Sequence, residues 1–128
     1  MGVFGIIWIL AFHYIGDFLL QSREMAQNKS KSAKHLSEHV AIYSMIMTIL
    51  FMLVSTNTIA SDPLEWFSNV GKFLTITYLT HWVTDYITSR WTSRLWKKKE
   101  EWKFFAVIGF DQLIHISTLL LTYEYLLS

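Results

Sequence analysis

Three stretches of this chain share one spacing: His13-Tyr-Ile-Gly-Asp17, His81-Trp-Val-Thr-Asp85 and Asp111-Gln-Leu-Ile-His115. Each sets a histidine and a carboxylate four residues apart, which on a helix stacks both side chains on one face. Each pair lies within or at the end of an apolar run, where an ionisable side chain is costly to bury and needs a partner, an ion or water. All five histidines and three of the four aspartates belong to this set or lie close to it.

Imidazole and carboxylate without thiolate suit zinc, manganese or another borderline-to-hard divalent ion. The chain has no cysteine, so thiolate sites, disulfides and cysteine nucleophiles are excluded. The candidate ligands are His13, Asp17, His39, His81, Asp85, Asp111 and His115. That is enough for one ion or two, and a two-metal site can stabilise both oxygens of a phosphoester displacement. Asp17, Asp85 and Asp111 are the candidate catalytic carboxylates. Gln21, one turn after Asp17, and Gln112, beside Asp111, are placed to orient ligands. His35 falls at the mouth, as a proton shuttle or an exposed side chain. Ser37, Ser44 and Ser117 lack the context of an activated serine.

Helices must position these groups. At 128 residues the chain is read as one domain, residues 1–128. Over half the residues are apolar and only 16% are charged, which is too little polar surface for a small soluble protein. Four apolar stretches approach the roughly 20 residues that span a bilayer, at about 2–21, 39–56, 70–88 and 104–123. The first lacks a basic n-region and a small-x-small cleavage site and reads as a retained helix. The expectation is an all-α, polytopic four-helix transmembrane bundle.

Ten of the eleven basic residues fall between the first and second stretches or between the third and fourth. The positive-inside rule makes loops 22–38 and 89–103 cytoplasmic, with both termini outside, across the inner membrane of a bacterial host. Trp66, Trp91, Trp96 and Trp102 read as interfacial anchors in contact with lipid. Lys97, Lys98 and Lys99 could receive a phosphate-bearing substrate; no specific nucleic-acid partner is implied, since basic loops attract any anionic surface. The Lys29-Ser30-Lys31-Ser32 run lacks the glycines and strand-turn-helix context of a phosphate loop.

In this topology the His/Asp groups of four segments reach similar depth, in the cytoplasmic half. The outer halves of the first, second and fourth helices show no matching polar line, which disfavours a transport path. A weak repeat supports the convergence. His13 and Asp17 parallel His81 and Asp85 at an offset of 68, while His35 and His39 parallel Asp111 and His115 at an offset of 76. Two helical hairpins related by a pseudo-twofold axis along the membrane normal would bring these residues together.

With His13 to Gln21, the Lys29–Lys31 segment, His39, His81–Asp85 and Asp111-Gln112-x-x-His115 in view, the chain resembles a family of small integral-membrane proteins of bacteria and phages, domain of unknown function 3307. The resemblance covers nearly the whole chain and matches at every His and Asp position. It implies a membrane protein and no particular activity. More loosely, the pattern is similar to that of membrane-bound metal-dependent hydrolases. The reading is therefore a metal-binding membrane protein, a hydrolase of a phosphoester or lipid-linked substrate at the cytoplasmic face. The alternative is a non-enzymatic membrane protein, either a metal or proton transporter or an accessory factor with a structural His/Asp core. The sequence leaves metal identity and oligomeric state open.

Overall fold

The computed structural model describes residues 2–56 and 62–127, and these are helical throughout apart from short connections. The order is α1 (Val3–Tyr14), a π-helical turn (Ile15–Leu19), α2 (Arg23–Asn28), α3 (Ala33–Val54), α4 (Pro63–Lys97) and α5 (Glu101–Leu127). No strand occurs among the described residues. The all-α expectation holds.

Local chemistry sets the helix starts. Ser22 and Ser32 cap α2 and α3 by accepting from the backbone N–H of Met25 and His35. Asp62 caps α4 by accepting from Glu65 N–H at 3.0 Å, and Pro63 occupies the first turn, where its missing N–H costs nothing.

Two expected loops are largely helix. Residues 22–38 contain α2 and the first turn of α3, and 89–103 continue α4 to Lys97. Charge alone suggested loops there, but Arg, Leu, Trp and Lys are acceptable helix formers, and Arg90 and Arg94 lie on the exposed continuation of α4. The connection to α5 is the tight turn Lys98–Glu100. Lys99 sits at φ 58°, and Glu100 N–H returns to Leu95 O at 3.1 Å, which closes the end of α4.

The core has two halves. Toward one end Ile9, Tyr43, Met47, Leu50, Phe51, Phe73, Leu119, Tyr123 and Leu126 form a buried apolar cluster. Phe51 stacks on Phe73 at 4.6 Å, and Tyr123 meets Phe73 edge-on at 4.8 Å. The other half is polar and holds His13, Asp17, His39, His81, Asp85 and His115, all buried. The outer surface reverses the usual order. Thirty-one large apolar side chains are exposed among the described residues, against fourteen buried hydrophobic ones. They include Phe4, Trp8, Leu53, Phe67, Leu79, Ile87, Phe105 and Leu121.

Two helices, α3 and α5, are long and apolar enough to cross a membrane; Val3–Leu19 is apolar but shorter. The third expected span, 70–88, lies inside α4, about 50 Å long at 1.5 Å per residue. Asn69, Thr77, His81, Asp85 and Thr88 make one face of α4 polar and buried.

Candidate metal centre

The π-helical turn between His13 and Asp17 alters the first pair. Leu20 N–H reaches Ile15 O at 2.9 Å, an i to i+5 bond that widens the helix where Asp17 projects. Gly16 makes this close to α3 feasible: a Cβ there would stand 3.1 Å from the Tyr43 ring. His13 Nε2 is 3.9 Å from Asp17 Oδ2, too long for a hydrogen bond.

Gln112 links the two instead. Its amide nitrogen donates to Asp17 Oδ2 at 2.9 Å and Asp111 Oδ2 at 3.1 Å. Carboxylates only accept, so the amide must present nitrogen there and oxygen to His13, 2.7 Å from Nε2. His13 is then the Nε2–H tautomer, and its Nδ1 accepts from the Tyr43 hydroxyl at 2.8 Å. Both nitrogens are hydrogen-bonded, and His13 stands outside the two groups whose ligand atoms lie within 4.8 Å of one another.

Four other side chains converge. His39 Nε2 lies 3.1 Å from Asp17 Oδ1 and 3.3 Å from Asp85 Oδ2. His81 Nε2 lies 3.5 Å and 3.6 Å from the same two oxygens, and 3.3 Å from His39 Nε2. Two imidazole nitrogens and two carboxylate oxygens thus face one point, with ligand atoms all within 4.8 Å of one another. A second group of the same compactness is Asp17, Asp111 and His115. Asp17 is common to both, and Asp85 spans them: its Oδ1 is 3.1 Å from His115 Nε2. Asp111 Oδ1 is held by the Thr88 hydroxyl at 2.5 Å.

Ring stacking orients the imidazoles. His81 lies between Tyr43 and His115, with both centroid separations 3.9 Å. Nδ1 of His39 and of His81 is buried without a hydrogen-bond partner among the described residues.

Lys29 completes the inner set. Its ammonium is 2.8 Å from Asp85 Oδ2. Burial penalises that charge, but the Asp85 and Asp17 carboxylates outweigh it and hold the lysine above its ordinary pKa. Three carboxylates and one ammonium leave a formal charge of −2 when the imidazoles are neutral. An uncompensated buried ion costs several kcal/mol. One divalent cation or two imidazolium ions would balance the set.

Asp17, Asp85, Asp111 and Gln112 line a cavity of about 720 Å³. Lys29, Ser30, Lys31, Ser89, Thr92, Ser93 and Lys97 are among its polar lining residues; Phe18, Trp96, Phe104, Phe105 and Ile108 are apolar ones. Gln21 lines it too, as expected of a residue near the site. Of the three-lysine run, Lys97 faces the cavity, while Lys98 and Lys99 stand in the turn before α5. His35 lies outside the cluster, against Glu38 at 3.4 Å and Glu24 at 3.8 Å. Of the pair His35 and Asp111, which correspond in the repeat, only Asp111 joins the cluster.

Lys29, Tyr43 and Thr88 were not singled out from sequence. The Lys-Ser-Lys segment was the available signal for Lys29. A tyrosine and a threonine on buried helix faces carry no such signal.

Beyond the cluster, Ser44, Thr48, Asn69, Thr77 and Thr122 are buried. The expected lack of polar groups concerned the outer halves of the first, second and fourth helices; of these buried groups, α3 and α5 carry the hydroxyls of Ser44, Thr48 and Thr122, while Asn69 and Thr77 stand on α4. Thr48 and Thr122 return their hydroxyls to their own helices, at 2.7 Å each. The cleft beside Thr77, Thr118 and Thr122 is too narrow for a water molecule. The Phe51, Phe73 and Tyr123 rings pack together in the apolar half of the core.

Helices with an apolar exterior, enclosing a His/Asp cluster able to hold a divalent ion, define the class. Within it, residues 6–128 match the family described as "Protein of unknown function (DUF3307)", and the chain belongs to that family. No curated protein and no solved structure matches it.

Proposed function

We propose that this chain is a membrane-embedded, metal-dependent hydrolase that acts on a phosphoester at the cytoplasmic face. One observation carries the reading: histidines and aspartates from the π turn, α3, α4 and α5 meet in one buried cluster, and its aspartates Asp17, Asp85 and Asp111 line an open cavity that Lys29, Lys31 and Lys97 also line. The chain forms a single four-span unit, with α1, α3, α4 and α5 crossing and both termini outside. Its apolar exterior and buried ionisable groups support this, as does the position of the lysines around one end.

Asp17, His39, His81 and Asp85 would hold one ion, and Asp111 and His115, with Asp17 shared, a second. Bound divalent ions supply Lewis acidity and an activated water at neutral pH. With a single ion on Asp17, His39, His81 and Asp85, Asp111 stays free; 14% exposed and facing the cavity, it is the most accessible carboxylate of the cluster and suits the general base. Lys31 and Lys97 attract the anionic substrate, and Lys29 sits close enough to neutralise charge on a phosphoryl oxygen. The closed cleft beyond the imidazoles supports a one-sided reactive site over a transport path.

The test is hydrolysis of bis(p-nitrophenyl) phosphate by detergent-purified protein supplied with manganese or zinc. Metal-dependent release, lost with chelator and in Asp111→Asn, is expected. Rates equal to the protein-free control with every metal would reject the activity.

One contact favours a second reading. Lys29 at 2.8 Å from Asp85 supplies a cation from within the chain, as a purely structural polar core would. In that case Lys29→Met would destabilise the protein strongly, and no metal would bind to the wild type.

A further inference from the structure

The lining of the cavity is of two kinds, and the combination specifies a ligand. Its polar part includes Lys29, Lys31 and Lys97, with serine and threonine hydroxyls. Lys31 and Lys97 make no ion pair among the described residues, so their charges are available to an anion. The apolar part of the wall is Phe18, Trp96, Phe104, Phe105 and Ile108. Trp96 and Phe104 pack with centroids 5.1 Å apart. Phe18 (44%) and Phe105 (64%) line the cavity and are also exposed, so its apolar part is continuous with the exterior at these two rings. A small hydrophilic phosphoester would have no use for that wall. A ligand with a charged head and a hydrocarbon chain meets both.

Resting on the hydrolase reading above, we propose that the substrate is a membrane amphiphile: an anionic phosphoester headgroup carrying at least one hydrocarbon chain. The head sits among Lys29, Lys31 and Lys97 over the Asp17, Asp85 and Asp111 floor. The chain lies along Phe104, Phe105 and Ile108 and leaves past Phe18, between the π turn and α5. The amphiphile enters sideways from the lipid leaflet, so its chain is never drawn through water. The cavity, about 720 Å³, admits the head and the first part of a chain; the rest stays in the bilayer.

A non-hydrolysable pair of probes separates head from chain, and binding from turnover. Dodecylphosphonate and methylphosphonate share one headgroup. Binding to the metal-supplied protein in nonionic detergent is followed by thermal unfolding, which rises when a ligand prefers the folded state. Dodecylphosphonate is expected to half-saturate at a concentration at least about tenfold below methylphosphonate, as its chain holds it at the micelle and the apolar wall. Phe105→Ser with Ile108→Ser should weaken dodecylphosphonate only. Lys31→Ala with Lys97→Ala should weaken both probes, about fivefold per lysine removed.

Equal affinity for the two probes would show a site for free phosphate groups and overturn the proposal. So would a dodecylphosphonate effect unchanged in both double variants, because it would be a general action of the detergent. The hydrolase reading fails separately: dodecylphosphonate bound as described, with no phosphodiester cleaved, would leave an amphiphile-binding protein without that activity.

Discussion

A divalent ion bound as proposed would compete with Lys29 Nζ for one oxygen, Oδ2 of Asp85, which lies 2.8 Å from the ammonium and within reach of His39 and His81. Two cations at that distance repel strongly in a low-dielectric site. When an ion binds, the lysine side chain must swing into the cavity that Ser30 and Lys31 already line. Lys29→Met keeps the stem and removes the charge, and it is expected to tighten metal binding by on the order of tenfold or more. Competition titration with a metal indicator measures this; unchanged or weaker affinity would show that the ammonium does not occupy the metal's place. His13 makes the complementary point. Its spacing to Asp17 marked it as a ligand, yet Tyr43 and Gln112 take both its nitrogens.

At the scale of elements, the His-to-Asp spacing was legible because i,i+4 is a helix-face relation whatever the surroundings. It held best where the helix is regular, on α4 and α5. On α1 the π turn moved Asp17 away from His13, and nothing in His13-Tyr-Ile-Gly-Asp17 announces a π turn beyond a glycine that allows close packing. The charged end of α4 was read as loop because its polarity was visible and its packing was not; Leu95 is buried there at 8% exposure. The stop came at Lys99, a non-glycine residue at φ 58°. That conformation strains a side chain with a Cβ, and glycine adopts it freely. Lys99→Gly should stabilise the protein by about 0.5–1 kcal/mol, read by denaturant or thermal unfolding in detergent. A loss of stability would mean that the lysine side chain contributes more than its backbone strain costs.

Among the described residues the exterior is rich in large apolar side chains, and half of the interior is a buried His/Asp cluster, an arrangement unusual for a protein made for water. This follows if lipid is the solvent. Hydropathy marks α3 and α5 as candidate spans and passes over α4, because threonines, a histidine and an aspartate on its inner face dilute its average. The proposed topology is directly testable because the native chain has no cysteine. Single replacements Gly2→Cys, Glu65→Cys and Lys98→Cys report sidedness with an impermeant maleimide on intact spheroplasts. The first two should label from outside and the third only after permeabilisation. Labelling of Lys98→Cys in intact spheroplasts, with Glu65→Cys protected, would invert the topology and move the cavity to the other face.

The central claim is that the buried His/Asp cluster holds a divalent ion. Its most direct test is the metal content of detergent-purified protein, by elemental analysis, beside the double variant His81→Ala plus Asp85→Ala. Metal is added back to both and the excess removed before measurement. The account predicts one or two equivalents of a divalent metal in the wild type and their loss in a variant that still purifies folded. No retained metal in the wild type would contradict it, and would leave the aspartates neutralised by Lys29 and protonated imidazoles within a structural core.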